Sequence, residues 1–118
     1  MAVEDLDTAL STYERLFGAL PDRRATAPEQ GVEAASLRLG DGRVELLEPL
    51  DPDTPVGRFL AKRGPGMHHV AYEVPDLDRA IAGLAESGAE LIDSEPREGL
   101  FGLEVGRASC RERVLVTV

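Results

Sequence analysis

An internal repeat constrains this chain more than any other feature of its sequence. Residues 3–10 match residues 74–81, and both copies contain Asp-Leu-Asp followed two residues later by Ala. The copies are 71 residues apart. In each copy the apolar residues follow the i, i+3, i+4, i+7 spacing of one helix face. The repeat therefore predicts two equivalent amphipathic helices, each beginning after a capping aspartate, Asp5 or Asp76.

Short alternating segments around the two helices predict strands. These segments are residues 23–26, 32–39, 43–48, 67–74, 90–93, 100–105 and 114–118. Gly40-Asp41-Gly42 predicts a hairpin turn between the second and third strands. Pro55 opens a predicted short helix over residues 56–62, which links the two halves. Both halves fit a strand, a helix and up to three further strands, so the chain is placed in the α+β class.

Composition excludes several classes of protein. The 118 residues leave room for one compact domain. With 13 Lys and Arg against 22 Asp and Glu, the net charge of −9 argues against nucleic-acid binding. No apolar run approaches the roughly 20 residues that cross a bilayer, and the start of the chain does not resemble a signal peptide. We therefore expect a cytoplasmic protein with neither a nucleic-acid partner nor a membrane partner.

The two ends of the sequence depart from the repeat. The strand before the second helix carries His69, and its counterpart in the first half would precede Met1, so only Met1 and Ala2 represent the first strand. Residues 106–113 contain three arginines and do not alternate, which fits either a basic surface loop or a foreign or frame-shifted segment. We expect a single domain over 1–118, with a first half (1–50) lacking its first strand, a linker with a short helix (51–66), and a second half (67–118) that is atypical over 106–118.

The paired units resemble the vicinal oxygen chelate superfamily, which includes glyoxalases, ring-cleaving dioxygenases and antibiotic-resistance proteins. That resemblance implies paired βαβββ modules that form a cupped mixed sheet, here with a truncated first strand. Three segments narrow the resemblance to the methylmalonyl-CoA epimerase family: Pro-Glu-Gln-Gly-Val at 28–32, Val-Glu-Leu-Leu-Glu-Pro-Leu at 44–50 and Gly-Met-His-His-Val-Ala at 66–71. The resemblance covers about residues 2–105 and is absent after Gly106.

The resemblance implies a divalent metal ion, such as cobalt, manganese, zinc or magnesium, held by four strand positions. Two of these positions carry over to this chain as Glu45 and His69, while His68 is expected to point away. The histidine of the first strand would precede Met1. The last ligand of the family, a glutamate, corresponds to Thr117, whose neutral hydroxyl is a poor substitute for a carboxylate. The implied site is therefore half complete.

The implied reaction removes a proton from the carbon next to an acyl-CoA thioester and returns it. Glu45 and Glu48 are the available acids on one predicted strand, and strand alternation places them on opposite faces. An outward, exposed Glu45 is the alternative to an inward one. A further acid that some family members carry would fall at Ala34, with Glu33 on the opposite face, so neither residue is assigned that role.

These residues lead to three hypotheses for function. The first is a methylmalonyl-CoA epimerase that acts on a small acyl-CoA substrate, forms a homodimer and has weak or absent activity in this chain. The second is another enzyme of the superfamily, such as a glyoxalase-type lyase. The third is not an enzyme, but either an inactive small-molecule-binding module or the non-functional product of a damaged reading frame.

Overall fold

The computed structural model describes residues 1–109 and the backbone of residues 114–117, which fall into two compact units, Met1–His68 and His69–Val118. The helices are α1 (Leu6–Phe17), α2 (Pro55–Arg63) and α3 (Leu77–Glu86), with a short 3₁₀ turn at Leu100–Gly102. The strands are β1 (Pro21–Ala27), β2 (Val32–Leu39), β3 (Gly42–Pro49), β4 (Val70–Glu73), β5 (Glu90–Leu91), β6 (Arg97–Glu98), β7 (Glu104–Ser109) and β8 (Val114–Thr117). No helix in the described part is long and apolar enough to span a membrane.

The first unit contains an antiparallel sheet in the order β1-β2-β3. Strands β2 and β3 pair from Leu39↔Gly42 outward, so the turn is Gly40-Asp41, one residue earlier than an Asp-Gly turn. The chain start lies against the other edge of β3, where Ala2 forms a parallel bridge to Leu47. The amide of Val3 donates to the carbonyl oxygen of Leu47 at 2.9 Å. Residues 1–3 therefore lie where the repeat predicts a first strand.

Helix α1 begins as the sequence predicts. The Asp5 side chain accepts a hydrogen bond from the Thr8 amide at 2.9 Å, and Gly18 ends the helix. Leu6 is fully buried against the sheet. The buried residues of this core are Leu6, Ala19, Ala35, Leu37 and Leu46. One face of the β1-β2-β3 sheet is thereby covered by α1.

Helix α2 begins where the chain folds back tightly on itself. Thr54 caps the helix by accepting a hydrogen bond from the Gly57 amide at 3.0 Å. A Cβ atom on Gly57 would lie 2.6 Å from the carbonyl oxygen of Asp51 and 2.7 Å from that of Pro52. Both neighbours are backbone atoms, so this contact requires glycine.

We expect Gly57→Ala to lower the free energy of unfolding by about 1–3 kcal/mol, because the new methyl group displaces backbone. Gly83→Ala is the matched control, since nothing lies within 4 Å of a Cβ there and alanine favours the helix. Urea unfolding of both variants measures the difference. Equal stabilities for the two variants would contradict the close approach at Gly57.

The second unit has its strands in the order β4-β8-β7-β5, with β6 paired to β7. Strand β4 pairs with β8 in parallel, just as residues 1–3 pair with β3. Asp76 caps α3 by accepting a hydrogen bond from the Arg79 amide at 3.1 Å. The two predicted helices are therefore confirmed, and each follows a segment that pairs in parallel with the last strand of its unit.

Three strand predictions in the second unit need correction. The strand predicted over 67–74 covers only Val70–Glu73, and the strand predicted over 90–93 covers only Glu90–Leu91. The strand predicted over 100–105 is wrong, because Leu100–Gly102 form a 3₁₀ turn in which Phe101 has φ 59°, and the strand runs from Glu104 to Ser109. Gly102, at the end of this turn, has φ 73°, which favours glycine and therefore the turn over a continuous strand.

The surface-loop interpretation of the segment after Val105 is wrong for residues 106–109, which lie within β7. Gly106 is buried, and a Cβ there would lie 2.7 Å from Cδ1 of Ile81 in α3. A glycine at this position lets the helix pack directly on the strand. Residues 110–113, including Cys110, and Val118 lie outside the described residues.

Asp93 and Arg107 link β7 to the segment after β5. Two guanidinium nitrogens of Arg107, Nε and Nη2, donate to the Asp93 carboxylate at 2.7 and 3.1 Å, and the Arg107 amide donates to it at 3.0 Å. The side chain of Asp93 is only 11% exposed. The Arg107 hydrogen bonds and charge lower the pKa of Asp93 below its ordinary value.

We expect this pair to make the second unit sensitive to acid. A lowered folded-state pKa contributes stability above the unfolded-state value of about 3.9, and this stability is lost as pH falls through the folded-state value. Asp93→Asn should lower the free energy of unfolding by about 1–2 kcal/mol at neutral pH, a range that allows for the partial exposure of Arg107. The variant should also lose less stability than the wild type as pH falls. Urea unfolding against pH checks both effects, with exposed Glu95→Gln as the control. If Asp93→Asn loses as much stability at low pH as the wild type, the acid sensitivity does not come from the Asp93–Arg107 pair.

Candidate functional site

Strand pairing places Glu45 on a defined face of the first unit's sheet. The register opposes Ser36 to Glu45 and Ala34 to Leu47, and directly opposed residues project from the same side. We call this side, with Ala34, Ser36, Glu45 and Leu47, the Glu45 face. Ala34, Ser36 and Leu47 are at most 5% exposed, and Glu45 is partly buried. Glu45 is therefore partly buried among these residues, which agrees better with an inward side chain than with a fully exposed one.

Glu48 lies on the opposite side of the sheet, which carries α1. Its Oε2 atom accepts a hydrogen bond from the Leu6 amide at 3.0 Å, at the first turn of α1. Glu33, the partner of Glu48 in the register, forms an ion pair with Arg24 at 2.7 Å on this same side. The predicted separation of Glu45 and Glu48 is confirmed, and Glu48 has a structural partner of its own.

The carboxyl group of Glu45 has no cationic side chain as an ion-pair partner among residues 1–109. Burial raises its pKa, and the nearby Met1 ammonium group opposes this rise in part. That ammonium group donates to the backbone carbonyl oxygen of Glu45 at 2.8 Å. A raised pKa makes this carboxylate a stronger base than an ordinary glutamate, which suits it to accept and return a proton.

The two adjacent histidines have different surroundings. His68 packs edge-on against Phe59 of α2, with ring centroids 5.0 Å apart and an angle of 78° between the rings. This contact gives His68 a packing role within the first unit. His69 opens the second unit just before β4 and is partly buried. The predicted sharing of one cation by Glu45 and His69 joins residues of different units and stays a prediction.

The donor set can be compared with the needs of a divalent cation. Glu45 and His69 offer a carboxylate and an imidazole, which are common ligands of such ions. Among the described residues, however, no three His, Cys, Asp or Glu side chains are grouped so that they could hold a metal. These residues therefore do not complete a metal site.

The polar network on the Glu45 face was not predicted from the sequence. Ser36 is buried, and its Oγ atom accepts a hydrogen bond from Nη1 of Arg43 at 3.0 Å. The same nitrogen lies 2.7 Å from Oδ2 of Asp22. The turn at Gly40-Asp41 sets the register that places Ser36 and Arg43 near each other. Had the turn been placed there from the sequence, the contact between these two residues could have been predicted.

Comparison with known proteins gives the chain a family. Residues 1–106 match the sequence profile of the Glyoxalase/Bleomycin resistance protein/Dioxygenase superfamily. An ethylmalonyl-CoA/methylmalonyl-CoA epimerase of Cereibacter sphaeroides is 36% identical over 107 residues, which cover 89% of this chain and 80% of that protein. The mitochondrial methylmalonyl-CoA epimerase of Bos taurus is 36% identical over 106 residues, covering 89% of this chain and 61% of that protein. This chain thus spans less than two thirds of the bovine relative.

A solved structure agrees with these sequence matches. A variant of Streptomyces coelicolor methylmalonyl-CoA epimerase in complex with 2-nitronate-propionyl-CoA superposes with a TM-score of 0.92 at 29% sequence identity. The alignment covers 98% of this chain and 88% of that one. The expected fold class is confirmed by this match.

Proposed function

The chain belongs to the glyoxalase/bleomycin resistance/dioxygenase superfamily, and from that premise we propose that it is an isomerase that epimerises an acyl-CoA thioester, methylmalonyl-CoA, at its α-carbon. Its homologues of known function include epimerases of this substrate. The observation in the structure that supports the proposal is Glu45, a partly buried acid without an ion-pair partner in the described part of the chain.

In the proposed reaction Glu45 moves a proton at the α-carbon. The C–H bond breaks, the proton passes to a carboxylate oxygen of Glu45, and the electron pair moves into the thioester to give an enolate. A water molecule then donates a proton to the opposite face of that carbon, which inverts its configuration, and the proton held by Glu45 passes back to water, so Glu45 serves one of the two faces. The partly buried position of Glu45 excludes some of the water that would otherwise exchange with the proton.

Enzymes of this superfamily use divalent metals, which stabilise negative charge on an enolate oxygen. The described donors do not complete such a site, so no step above depends on a metal, and the cobalt, manganese, zinc or magnesium cofactor stays a prediction. The homodimer and the cytoplasmic location also stay predictions.

The proposal is tested by deuterium exchange. The full chain is incubated with methylmalonyl-CoA in D₂O, with chelator in one arm and Co²⁺ in another, and deuterium at the α-carbon is followed by NMR. The Cereibacter sphaeroides relative is the positive control. Exchange above the buffer rate is expected. Exchange at the buffer rate in both arms would refute the proposal, and turnover of a glutathione hemithioacetal instead would favour the glyoxalase-type lyase.

A further inference from the structure

The guanidinium group of Arg43 is held in a fixed position beside Glu45. Arg43 and Glu45 are two residues apart on β3, so they project from the same side of the sheet. Nη1 of Arg43 donates to Oγ of Ser36 at 3.0 Å, and Ser36 is the residue directly opposite Glu45. The same nitrogen lies 2.7 Å from Oδ2 of Asp22. Two partners on the neighbouring strands therefore hold the guanidinium group next to the Ser36–Glu45 pair.

The backbone hydrogen bonds show that the side chains of Ser36 and Glu45 lie close together. The carbonyl oxygen of Glu45 accepts a hydrogen bond from the Met1 ammonium group, and the Leu47 amide donates to the carbonyl oxygen of Met1 at 2.8 Å. The backbone groups of Glu45 thus point away from β2, which makes Ser36 and Glu45 a non-hydrogen-bonded pair. In such a pair the Cβ atoms are roughly 4.5–5.5 Å apart. A small ligand can therefore contact Arg43 and Glu45 at the same time.

Arg43 and Glu45 both have hydrogen-bonding capacity left for a ligand. Every hydrogen bond that the structure shows for Arg43 uses Nη1, so its Nε–Nη2 edge has no partner among the described residues. This edge suits two-point binding of a carboxylate. The structure shows no ion pair between Arg43 and Glu45, although they are neighbours on one face. The arrangement leaves room for a ligand that presents an anion to Arg43 and a proton to Glu45.

Arg43 keeps its attraction for an anion despite its contact with Asp22. Arg23, on β1, lies on the other side of Asp22 in the chain and is exposed. The hydrogen bond from Arg43 and, to a smaller extent, the charge of Arg23 lower the pKa of Asp22. The register also places the exposed Arg38 directly opposite Arg43. Like charges directly opposite each other destabilise a sheet, and a bound carboxylate relieves this repulsion.

The carboxylate of methylmalonyl-CoA has the right chemistry and position for this contact. It is bonded to the same α-carbon from which Glu45 is proposed to take the proton, so the group that binds it must lie close to Glu45. Arg43 is one two-residue step from Glu45, roughly 6.6 Å along the strand. A separation of this size accommodates an α-carbon that carries both the proton and the carboxylate.

We infer that Arg43 binds the α-carboxylate of the substrate and that Ser36 and Asp22 position its guanidinium group for this contact. The inference rests on the proposed function and deepens it, because it makes Arg43 the residue that selects 2-carboxyacyl thioesters over plain acyl thioesters. Ser36 and Asp22 are positioning residues, and the proton transfer stays with Glu45.

Calorimetric titration of the full chain with malonyl-CoA and with acetyl-CoA tests the inference without turnover, because the two ligands differ by one carboxylate. The wild type should bind malonyl-CoA about tenfold to a hundredfold more tightly, as for one charge-assisted contact. Arg43→Gln should abolish this preference. Arg43→Lys should restore part of it, since lysine keeps the charge but loses the two-point geometry.

Arg38→Gln is the matched control, because it makes the same charge change at the residue directly opposite Arg43. It should keep the preference for malonyl-CoA. An equal loss of preference in Arg38→Gln and Arg43→Gln would assign the effect to general charge and overturn the inference. Equal Kd values of the wild type for malonyl-CoA and acetyl-CoA would also overturn it.

A kinetic measurement tests the positioning role of Asp22. With methylmalonyl-CoA, Arg43→Gln should raise KM by about tenfold or more. Asp22→Asn leaves Arg43 in place but removes a charge that holds it, so this variant should raise KM by a smaller factor and leave kcat unchanged. With the analogue in which the carboxylate is a methyl ester, both variants should match the wild type. Equal rises in KM for the two substrates would indicate a general structural effect and overturn the inference.

The titrations are run with chelator in one arm and Co²⁺ in another. A preference for malonyl-CoA that requires Co²⁺ and survives Arg43→Gln would assign the carboxylate to a metal ion and overturn the inference. An Arg43-dependent preference without any α-proton exchange from methylmalonyl-CoA would refute the proposed function alone. Exchange by the wild type, together with an unchanged preference in Arg43→Gln, would refute the inference alone.

Discussion

Replacing Glu45 with Gln is expected to slow α-proton exchange in methylmalonyl-CoA by a factor of about 10² to 10⁴. Glutamine keeps the size of the side chain, but its neutral amide cannot accept the proton that leaves the α-carbon. Deuterium incorporation at saturating substrate measures the effect.

Glu48→Gln is the matched control, because it makes the same chemical change three residues along the same strand but on the opposite side of the sheet. It weakens the hydrogen bond to the Leu6 amide at the start of α1. We expect it to cost about 0.5–1 kcal/mol of stability and to leave exchange unchanged. If Glu48→Gln abolishes exchange in a folded protein while Glu45→Gln does not, the roles of the two acids are reversed.

Local patterns in the sequence predicted the helices because their determinants are local. Asp5 and Asp76 each accept a hydrogen bond from an amide three residues later, and the apolar spacing after them selects the buried face. The opposite faces of Glu45 and Glu48 follow equally from the two-residue period of a strand. These properties require no knowledge of distant residues.

The start of β7 was harder to predict, because the residues before it can form either a turn or part of the strand. The segment from Leu100 to Val105 contains alternating apolar residues, but Gly99 and Gly102 permit the 3₁₀ turn that moves the start of β7 to Glu104. The alternating apolar residues are compatible with a strand that begins at Leu100 and with one that begins at Glu104. The pattern alone therefore could not predict which of the two forms. The buried contact of Gly106 with Ile81 depends on tertiary packing, which no short window of sequence contains.

The site was predicted only in part for a similar reason. Glu45 is recognisable as an acid within an apolar run, whereas the hydrogen bonds of Arg43 to Ser36 and Asp22 depend on the register of the strands. A shift of one residue in the turn would move Ser36 and Glu45 out of opposition. The predicted pairing of Glu45 with His69 depends on how two separate units are arranged, and a local pattern does not specify that.

The core of the first unit should be more sensitive to mutation than any surface contact. Leu46 is fully buried on the α1 side of β3, in the same core as Leu6 and Leu37. We expect Leu46→Ala to lower the free energy of unfolding by about 3–5 kcal/mol, because it removes buried apolar surface and leaves a cavity under α1. Since a domain of this size has roughly 5–15 kcal/mol in total, the variant should lose a large share of its stability.

Leu16→Ala provides the control, because Leu16 lies in α1 but is 60% exposed. Its expected change is within about 0.5 kcal/mol. Urea unfolding followed by far-UV circular dichroism compares both variants with the wild type, and a loss below about 1 kcal/mol for Leu46→Ala would contradict the packing of α1 on β3. Because Leu46 lies between Glu45 and Leu47, which project from the other side of the same strand, collapse of this core would also remove the register that sets the Glu45 face. Leu46→Ala should therefore lose α-proton exchange in proportion to its unfolded fraction, whereas Glu45→Gln should lose it while folded.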